Sequence, residues 1–144
     1  MTVTYQPLSF DVALKHVPEL GSLLQQLSGQ KRQLHEEQLA LYLDNPSAVT
    51  IGAFSENKLV GIASIYIMHK ATRTLGFVED VVVDEGYRGK GIATELMNGL
   101  IAAARERGVS QCNLTSHPSR VEANKLYQKL GFRIKETNVY RLAL

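Results

Sequence analysis

The spacing of apolar residues changes several times along the chain, and each change marks an element. Residues 3–7 suit a short first strand. Leu20, Leu23, Leu24 and Leu27 then recur at helical spacing, with Pro18 near the start and Gly29 at the end. A second helix is expected over residues 33–43, carried by Leu34, Leu39, Leu41 and Leu43 and stopped by Asn45-Pro46. From residue 49 the helical period gives way to β-branched and apolar runs. Residues 49–54 and 59–68 read as strands, joined by a hairpin turn at Ser55, Glu56, Asn57 and Lys58. Another strand covers residues 75–83 and ends at Asp84, Glu85 and Gly86. Its Val81, Val82 and Val83 are apolar in succession, as in a central strand covered on both faces.

The strongest helical pattern follows. Ile92, Leu96 and Leu100 repeat every fourth residue, with Met97, Ile101 and Ala104 beside them, and Gly108 closes the helix. A short strand is expected at residues 111–115. Ser119 and Glu122 form a capping-box pattern that opens a helix with Ala123, Leu126, Tyr127 and Leu130, ended by Gly131. Residues 132–144 look like one or two closing strands. This order predicts an α/β fold: a three-layer sandwich with a central mixed, mostly antiparallel sheet flanked by helices. At 144 residues the expectation is a single domain, 1–144.

Composition narrows the class of function more than it names one. Hydrophobic residues make up 44% and charged residues 21%, as in ordinary globular chains. The net charge is +2, with a pI of about 8.7. Positive charge clusters only at Lys31-Arg32 and at Arg88 to Lys90, without stacking aromatics, so no nucleic-acid partner is expected. One cysteine, Cys112, rules out an internal disulfide; on its strand it reads as a small buried apolar residue. The first residues lack a signal-peptide pattern, and the apolar runs are too short for a membrane span. The expectation is a cytoplasmic protein with no membrane partner. No His, Cys, Asp or Glu cluster has metal-ligand spacing, so no metal is expected.

The chemistry concentrates between residues 79 and 93. An apolar strand runs into a loop holding Arg88, Gly89, Lys90 and Gly91, and a long helix begins there. The first turn of a helix has backbone N–H groups without internal partners, and its dipole adds partial positive charge. Glycines let the backbone approach an anion closely, and Arg88 and Lys90 add formal charge. A pyrophosphate is one occupant for the N–H groups from Gly89 to Ala93. The other reading is that the glycines only shape a strand-to-helix turn. Neither the Gly-x-x-x-x-Gly-Lys-Ser/Thr loop nor the Gly-x-Gly-x-x-Gly fingerprint is present.

The pattern Arg88-x-x-Gly91-x-Ala93, entered from an apolar strand and followed by a helix, resembles the acetyl-CoA signature of the GNAT N-acetyltransferase superfamily. A second block, residues 123–132, is similar to the family's later cofactor-side segment ending in Tyr-x-x-x-Gly-Phe. Glu79-Asp80 before an apolar strand resembles the glucosamine-6-phosphate N-acetyltransferase branch. The resemblance implies an acyl-CoA N-acyltransferase fold, with acetyl-CoA as co-substrate and direct transfer to a primary amine in a ternary complex. The acceptor stays open between a small-molecule amine or amino sugar and a peptide amine. A homodimer is common in the family. The competing reading is a non-catalytic acetyl-CoA-binding sensor.

Residue roles follow from the same resemblance. Main-chain groups of Val81 and Val83 would pair with the pantetheine arm like an added strand. The amides of Arg88, Gly89, Lys90, Gly91, Ile92 and Ala93 would hold the pyrophosphate. Asn124 would touch the pantetheine arm, or else is a solvated helix residue. Tyr127 would protonate the departing thiolate, for which a phenol of pKa near 10 is suited, or else is a core aromatic. The amine must lose a proton before it attacks; a side chain or a water chain must take it, and Glu79 and Asp80 are the candidate side chains. Strand alternation places their side chains on opposite faces. Glu79 is taken as the base and Asp80 as a substrate contact; the alternative for each is a solvated strand end or an ion pair to a nearby Arg or Lys. Ser116 is a second substrate contact, and His117 and Arg120 share its loop. Tyr66, His69, Arg73, Asn138 and Tyr140 are candidates for the acceptor site.

Overall fold

The computed structural model describes residues 2–144. The chain divides into two compact units, the larger ending at Leu114 and the smaller running from Thr115 to Leu144.

The larger unit holds β1 (Val3–Pro7), α1 (Phe10–Leu14), α2 (Val17–Ser28), α3 (Glu36–Leu43), β2 (Ala48–Ser55), β3 (Lys58–His69), β4 (Thr74–Val83), α4 (Ile92–Glu106) and β5 (Gln111–Asn113). The strands lie in the order β1-β2-β3-β4-β5. The first three pairings are antiparallel and β4–β5 is parallel, so the sheet is mixed and mostly antiparallel as expected. Glu56 and Asn57 form a two-residue hairpin between β2 and β3, both at positive φ (49° and 63°). Such left-handed pairs match the twist of the flanking strands.

The layers follow from strand alternation. Gly61 and Ile62 are neighbours on β3 and face opposite ways. A Cβ on Gly61 would meet Leu96 Cδ1 at 3.2 Å and Ile92 Cγ2 at 3.5 Å, so α4 covers that face. Ile62 instead joins Leu8, Ala13, Leu20, Leu23 and Leu39 in the core built with α1–α3. The sheet is therefore sandwiched between helices.

Two helices differ from the sequence reading. α1, a single capped turn, was not anticipated; five residues are too few to show a periodic stripe. Ser9 Oγ accepts the Val12 N–H at 3.3 Å and starts it. α3 begins at Glu36 rather than at residue 33. Leu34 packs against the core from the preceding loop, and its apolar side chain imitated a helical position.

The smaller unit holds one helix, α5 (Val121–Lys129), ended by Gly131 at φ 102°. The expected capping box does not form. Arg120 occupies the cap position without a side-chain bond, and the Ser119 hydroxyl pairs with His117 Nδ1 at 2.7 Å. Local side-chain bonds of this kind compete with capping. β5 stops at Asn113 rather than at residue 115, and the closing strands are absent: residues 132–144 contain no strand. A strand exists only through its ladder, and the charges of Arg133, Lys135, Glu136 and Arg141 interrupt the apolar pattern.

Candidate active site

The site begins where β4 breaks its own rhythm. Ser64 on β3 faces Glu79, and Ile62 faces Val82, so β4 carries one residue more than β3 over the same span. The extra residue makes a bulge, and Asp80 sits in it at φ +55°. Few non-glycine residues adopt that region, aspartate being among those that tolerate it. Simple alternation of Glu79 and Asp80 is therefore broken. Asp80 is half-buried and lines a cleft, whereas Glu79 is exposed and is not among the residues lining it.

That cleft has a volume of about 630 Å³ and is walled by α2, the loop before α3, α3 itself and the sheet. Beside Asp80 it presents Tyr42, Tyr66, Arg32 and His35, above leucines such as Leu24 and Leu39. Beneath it runs a chain of hydroxyls: Tyr42 Oη to Ser64 Oγ at 2.6 Å, and Ser64 Oγ to Thr50 Oγ1 at 2.8 Å. Burial pushes the Asp80 carboxyl above its ordinary range. Burial, and then the Asp80 charge, do the same for Glu79. The phenols of Tyr42 and Tyr66 are raised by burial first, with the neighbouring carboxylates adding to it. A carboxyl with raised proton affinity on the wall of a cleft is suited to receive a proton from a substrate. Of the other acceptor candidates, Tyr66 lines the cleft. His69 instead bonds Thr74 at 2.9 Å, and Arg73 is exposed in the same β3–β4 hairpin.

The other end of β4 forms an open edge. β5 pairs only with Leu75, Gly76 and Phe77, so from Val78 onward the ladder of β4 is with β3 alone. The Asp84 N–H donates to the Val60 carbonyl at 2.8 Å. Antiparallel alternation then turns the main chain of Val83 toward the open edge. Arg88 Nε donates to the Val83 carbonyl at 2.9 Å. Val81 lies at the bulge and is buried, as are Val82 and Val83.

Past this edge the chain reaches α4. Gly89 and Gly91 have φ of 76° and 81°, and a Cβ on either would meet no atom within 4 Å. Both glycines are thus required by conformation and not by crowding, and the loop's outer side is open. Gly91 is the N-cap, with no side-chain cap. The first helical bond runs from the Glu95 N–H to the Gly91 carbonyl at 3.1 Å. The amides of Ile92, Ala93 and Thr94 therefore have no partner within the helix, the arrangement that binds phosphates. In the turn before it two cations gather at Tyr87: Lys90 Nζ lies 5.5 Å from the ring centre, and Lys58 Nζ lies 5.7 Å from it.

A residue that sequence reasoning missed pins this loop. Gln26, on α2, donates to Asp84 Oδ1 at 2.9 Å, and its Oε1 accepts the Glu85 N–H at 2.9 Å and reaches Arg88 at 3.4 Å. The hydrogen bond from Gln26 holds the Asp84 carboxyl below its usual range, with the Gly86 N–H, Lys58 and Arg88 assisting. Nothing near Gln26 in the sequence marks it, since its partners lie 58 to 62 positions away.

In the smaller unit Tyr127 is 6% exposed and stacks edge-on with Phe132 at 6.0 Å. Burial raises its phenol above the ordinary value, and Arg120 opposes the shift, so the hydroxyl is protonated at neutral pH. Asn124 Nδ2 donates to the His117 carbonyl at 3.1 Å and thereby orders the loop before α5. The Ser116 hydroxyl is buried and has no hydrogen-bond partner among the described residues. Among those residues there is also no group of three or more metal-ligating side chains, and no helix long and apolar enough to cross a membrane.

Comparison with known proteins agrees with this fold. Residues 19–132 match the model of the acetyltransferase (GNAT) family. The chain belongs to that family. Glucosamine 6-phosphate N-acetyltransferase of Trypanosoma brucei brucei is 39% identical over 82 residues, which are 55% of this chain and 54% of that protein. N-alpha-acetyltransferase MAK3 of Arabidopsis thaliana is 30% identical over 129 residues, 90% of this chain and 66% of that protein. The chain thus spans between about half and two thirds of the length of these relatives. A crystal structure of a Trypanosoma brucei acetyltransferase superposes with a TM-score of 0.82 at 30% identity, covering 99% of this chain and all of that one. Glucosamine-6-phosphate N-acetyltransferase from Arabidopsis thaliana, at 22% identity, shares the fold with a TM-score of 0.83, over 99% of both chains.

Proposed function

We propose that this member of the family is an N-acetyltransferase that transfers the acetyl group of acetyl-CoA directly to a primary amine, with both substrates bound together. The observation that carries the reading is the open, uncapped start of α4 behind Gly89 and Gly91, in the same unit as a cleft walled by Asp80. The residues present fit acetyl-CoA. Amides from Arg88 to Ala93 would hold the pyrophosphate and the open edge of β4 at Val81 and Val83 would take the pantetheine arm; the family resemblance, and not a contact seen here, assigns Asn124 to that arm. Acetyl-CoA supplies the activated thioester.

The chain's own groups then move two protons. A carboxylate of the Glu79–Asp80 pair takes one from the incoming ammonium, leaving a neutral nitrogen able to attack. Glu79 stands next to the bulge, but Asp80 lies on the cleft wall, and that favours Asp80 as the oxygen that meets the amine. By the family resemblance Tyr127 Oη would give the second to the leaving sulfur, and its phenolate would be made good by the proton that the nitrogen sheds as the amide forms. Ser116, whose buried hydroxyl lacks a partner among the described residues, is kept as a candidate substrate contact. The amide side chains of Gln25, Gln30, Gln33 and Gln38 on the cleft wall suit hydroxyl groups, and Arg32 suits an anionic substituent. An amino sugar is therefore the best-supported acceptor class, with a peptide amine as the alternative. The relative at 39% identity, named for glucosamine 6-phosphate, supports the same class. The proposed assembly is a homodimer, working in the cytoplasm without a metal.

Thiol release from acetyl-CoA, followed across amino sugars with and without phosphate, aminoglycosides, polyamines and peptides, tests the reading. Turnover with an amino sugar, lost in Asp80→Asn, is expected. Binding of acetyl-CoA without turnover on any amine would leave a sensor in place of an enzyme.

A further inference from the structure

The two helices that wall the cleft each turn one stripe toward it. Gly21, Leu24, Gln25 and Ser28 on α2 line it at positions i, i+3, i+4 and i+7. Gln38, Leu41 and Tyr42 on α3 line it at i, i+3 and i+4. Both stripes carry leucine, and Leu34, in the loop between the helices, adds another. Leu41 is 70% exposed, and Leu24 and Leu34 are half-buried. A single exposed leucine is ordinary, but several on one concave wall mark a place that binds apolar surface.

Gly21 is an independent sign of a ligand. It stands inside α2 in ordinary helical conformation, where glycine costs stability relative to alanine. Outside the helix's own backbone, a Cβ there would meet only Leu34 Cδ1, at 4.0 Å. Neither conformation nor crowding therefore calls for glycine. A side chain at this position would take up cleft, and bare helix backbone lets a ligand lie close against it. The cleft volume of about 630 Å³ falls within the roughly 300–1,000 Å³ that encloses a drug-sized ligand, and one sugar ring fills only part of it.

We infer that the acceptor is an amphiphilic amine, with a polar, amine-bearing head at Asp80 and an aliphatic chain laid along Gly21, Leu24, Leu34 and Leu41. This rests on Asp80 as the oxygen that meets the amine, and assigns the helical side of the cleft to the rest of the molecule. Polarity pairs off along the lining. The Asp80 carboxylate takes the ammonium, Arg32 and the side-chain amides take the polar substituents of the head, and the leucines take the chain. Each CH₂ fully removed from water strengthens binding roughly fourfold.

Calorimetric titration of the full chain with methyl, butyl and octyl glycosides of glucosamine tests it, without acetyl-CoA and with the octyl compound kept monomeric. Affinity should rise along the series, the octyl glycoside binding at least ~10-fold tighter than the methyl one. Octyl glucoside, which has the chain but no amine, should bind more weakly than its amino counterpart. Gly21→Leu, which fills the space over α2, should erase the gain from the chain. Leu41→Gln, at an exposed position, should reduce it without risk to the core. Gly21→Ala should raise Tm while weakening the octyl compound, a pairing that a purely structural glycine would not give. Equal affinity for the methyl and octyl glycosides overturns the inference, as does a chain-length gain that both Gly21→Leu and Leu41→Gln leave intact. Methyl glucosaminide turned over with no chain-length effect would leave acetyl transfer standing and remove the apolar subsite. A chain-length gain in binding, lost in Gly21→Leu and with no turnover of any amine, would establish the subsite and remove the transfer reaction.

Discussion

Gly91 is the residue at which conformation and ligand binding can be separated. Its φ is 81°, and a Cβ added there would meet no atom within 4 Å. Gly91→Ala therefore introduces no clash, and its cost is the backbone cost of a left-handed non-glycine residue, about 1–2 kcal/mol. In a chain of 144 residues each kcal/mol corresponds to roughly 2–4 °C in Tm, so the expected fall is about 2–8 °C. Gly91→Glu carries the same backbone cost and adds a negative charge at the start of α4, where the helix dipole and the amides of Ile92, Ala93 and Thr94 await an anion. Acetyl-CoA at about 100 times its Kd should stabilise the wild type by about 2.7 kcal/mol, a thermal shift of roughly 5–11 °C. Gly91→Ala should keep a reduced shift and Gly91→Glu should show none. Scanning fluorimetry with a parallel calorimetric titration reads both quantities. An equal ligand-induced shift in Gly91→Glu would refute the placement of the pyrophosphate at this loop. A Gly91→Ala variant as stable as the wild type would refute the conformational argument.

Three further outcomes are expected. Burial raises the Asp80 carboxyl above its ordinary 3.8, so the folded state holds that proton more tightly than the unfolded state does. Its contribution is fully present below 3.8 and is lost as pH rises through the higher folded value. Asp80→Asn should therefore gain stability over the wild type progressively above pH 4 in denaturant titrations, while its acetylation rate collapses; a stability difference that shrinks with rising pH contradicts the assignment. Tyr127→Phe should lower kcat with little change in acetyl-CoA affinity, and an unchanged kcat removes the phenol from proton transfer. Ser64→Ala leaves the hydroxyls of Thr50 and Tyr42 without their 2.8 Å and 2.6 Å partner, at a cost of about 1–3 kcal/mol in urea unfolding. Adding Tyr42→Phe and Thr50→Val should return most of that loss, and a triple variant less stable than Ser64→Ala would show that packing, not the hydroxyl chain, is at stake.

Local chemistry made much of this protein legible in its sequence. Every sheet strand and both long helices were readable from apolar period and from glycine or proline stops, because burial enforces those patterns residue by residue. The Arg88–Ala93 loop was also readable, since left-handed Gly89 and Gly91 and an uncapped helix start are properties of a short segment. Tertiary structure alone decided the rest. Asp80 reaches the cleft wall because of a bulge, and a bulge is a mismatch in count between β3 and β4 that neither strand records by itself. Gln26 became the tie that pins the anion loop only when α2 packed beside the end of β4. The capping box at Ser119 and the closing strands at residues 132–144 failed for a related reason. Sequence specifies what a side chain or strand can bond, but the partner it finds, such as His117 for Ser119, is a matter of which groups the fold brings within reach.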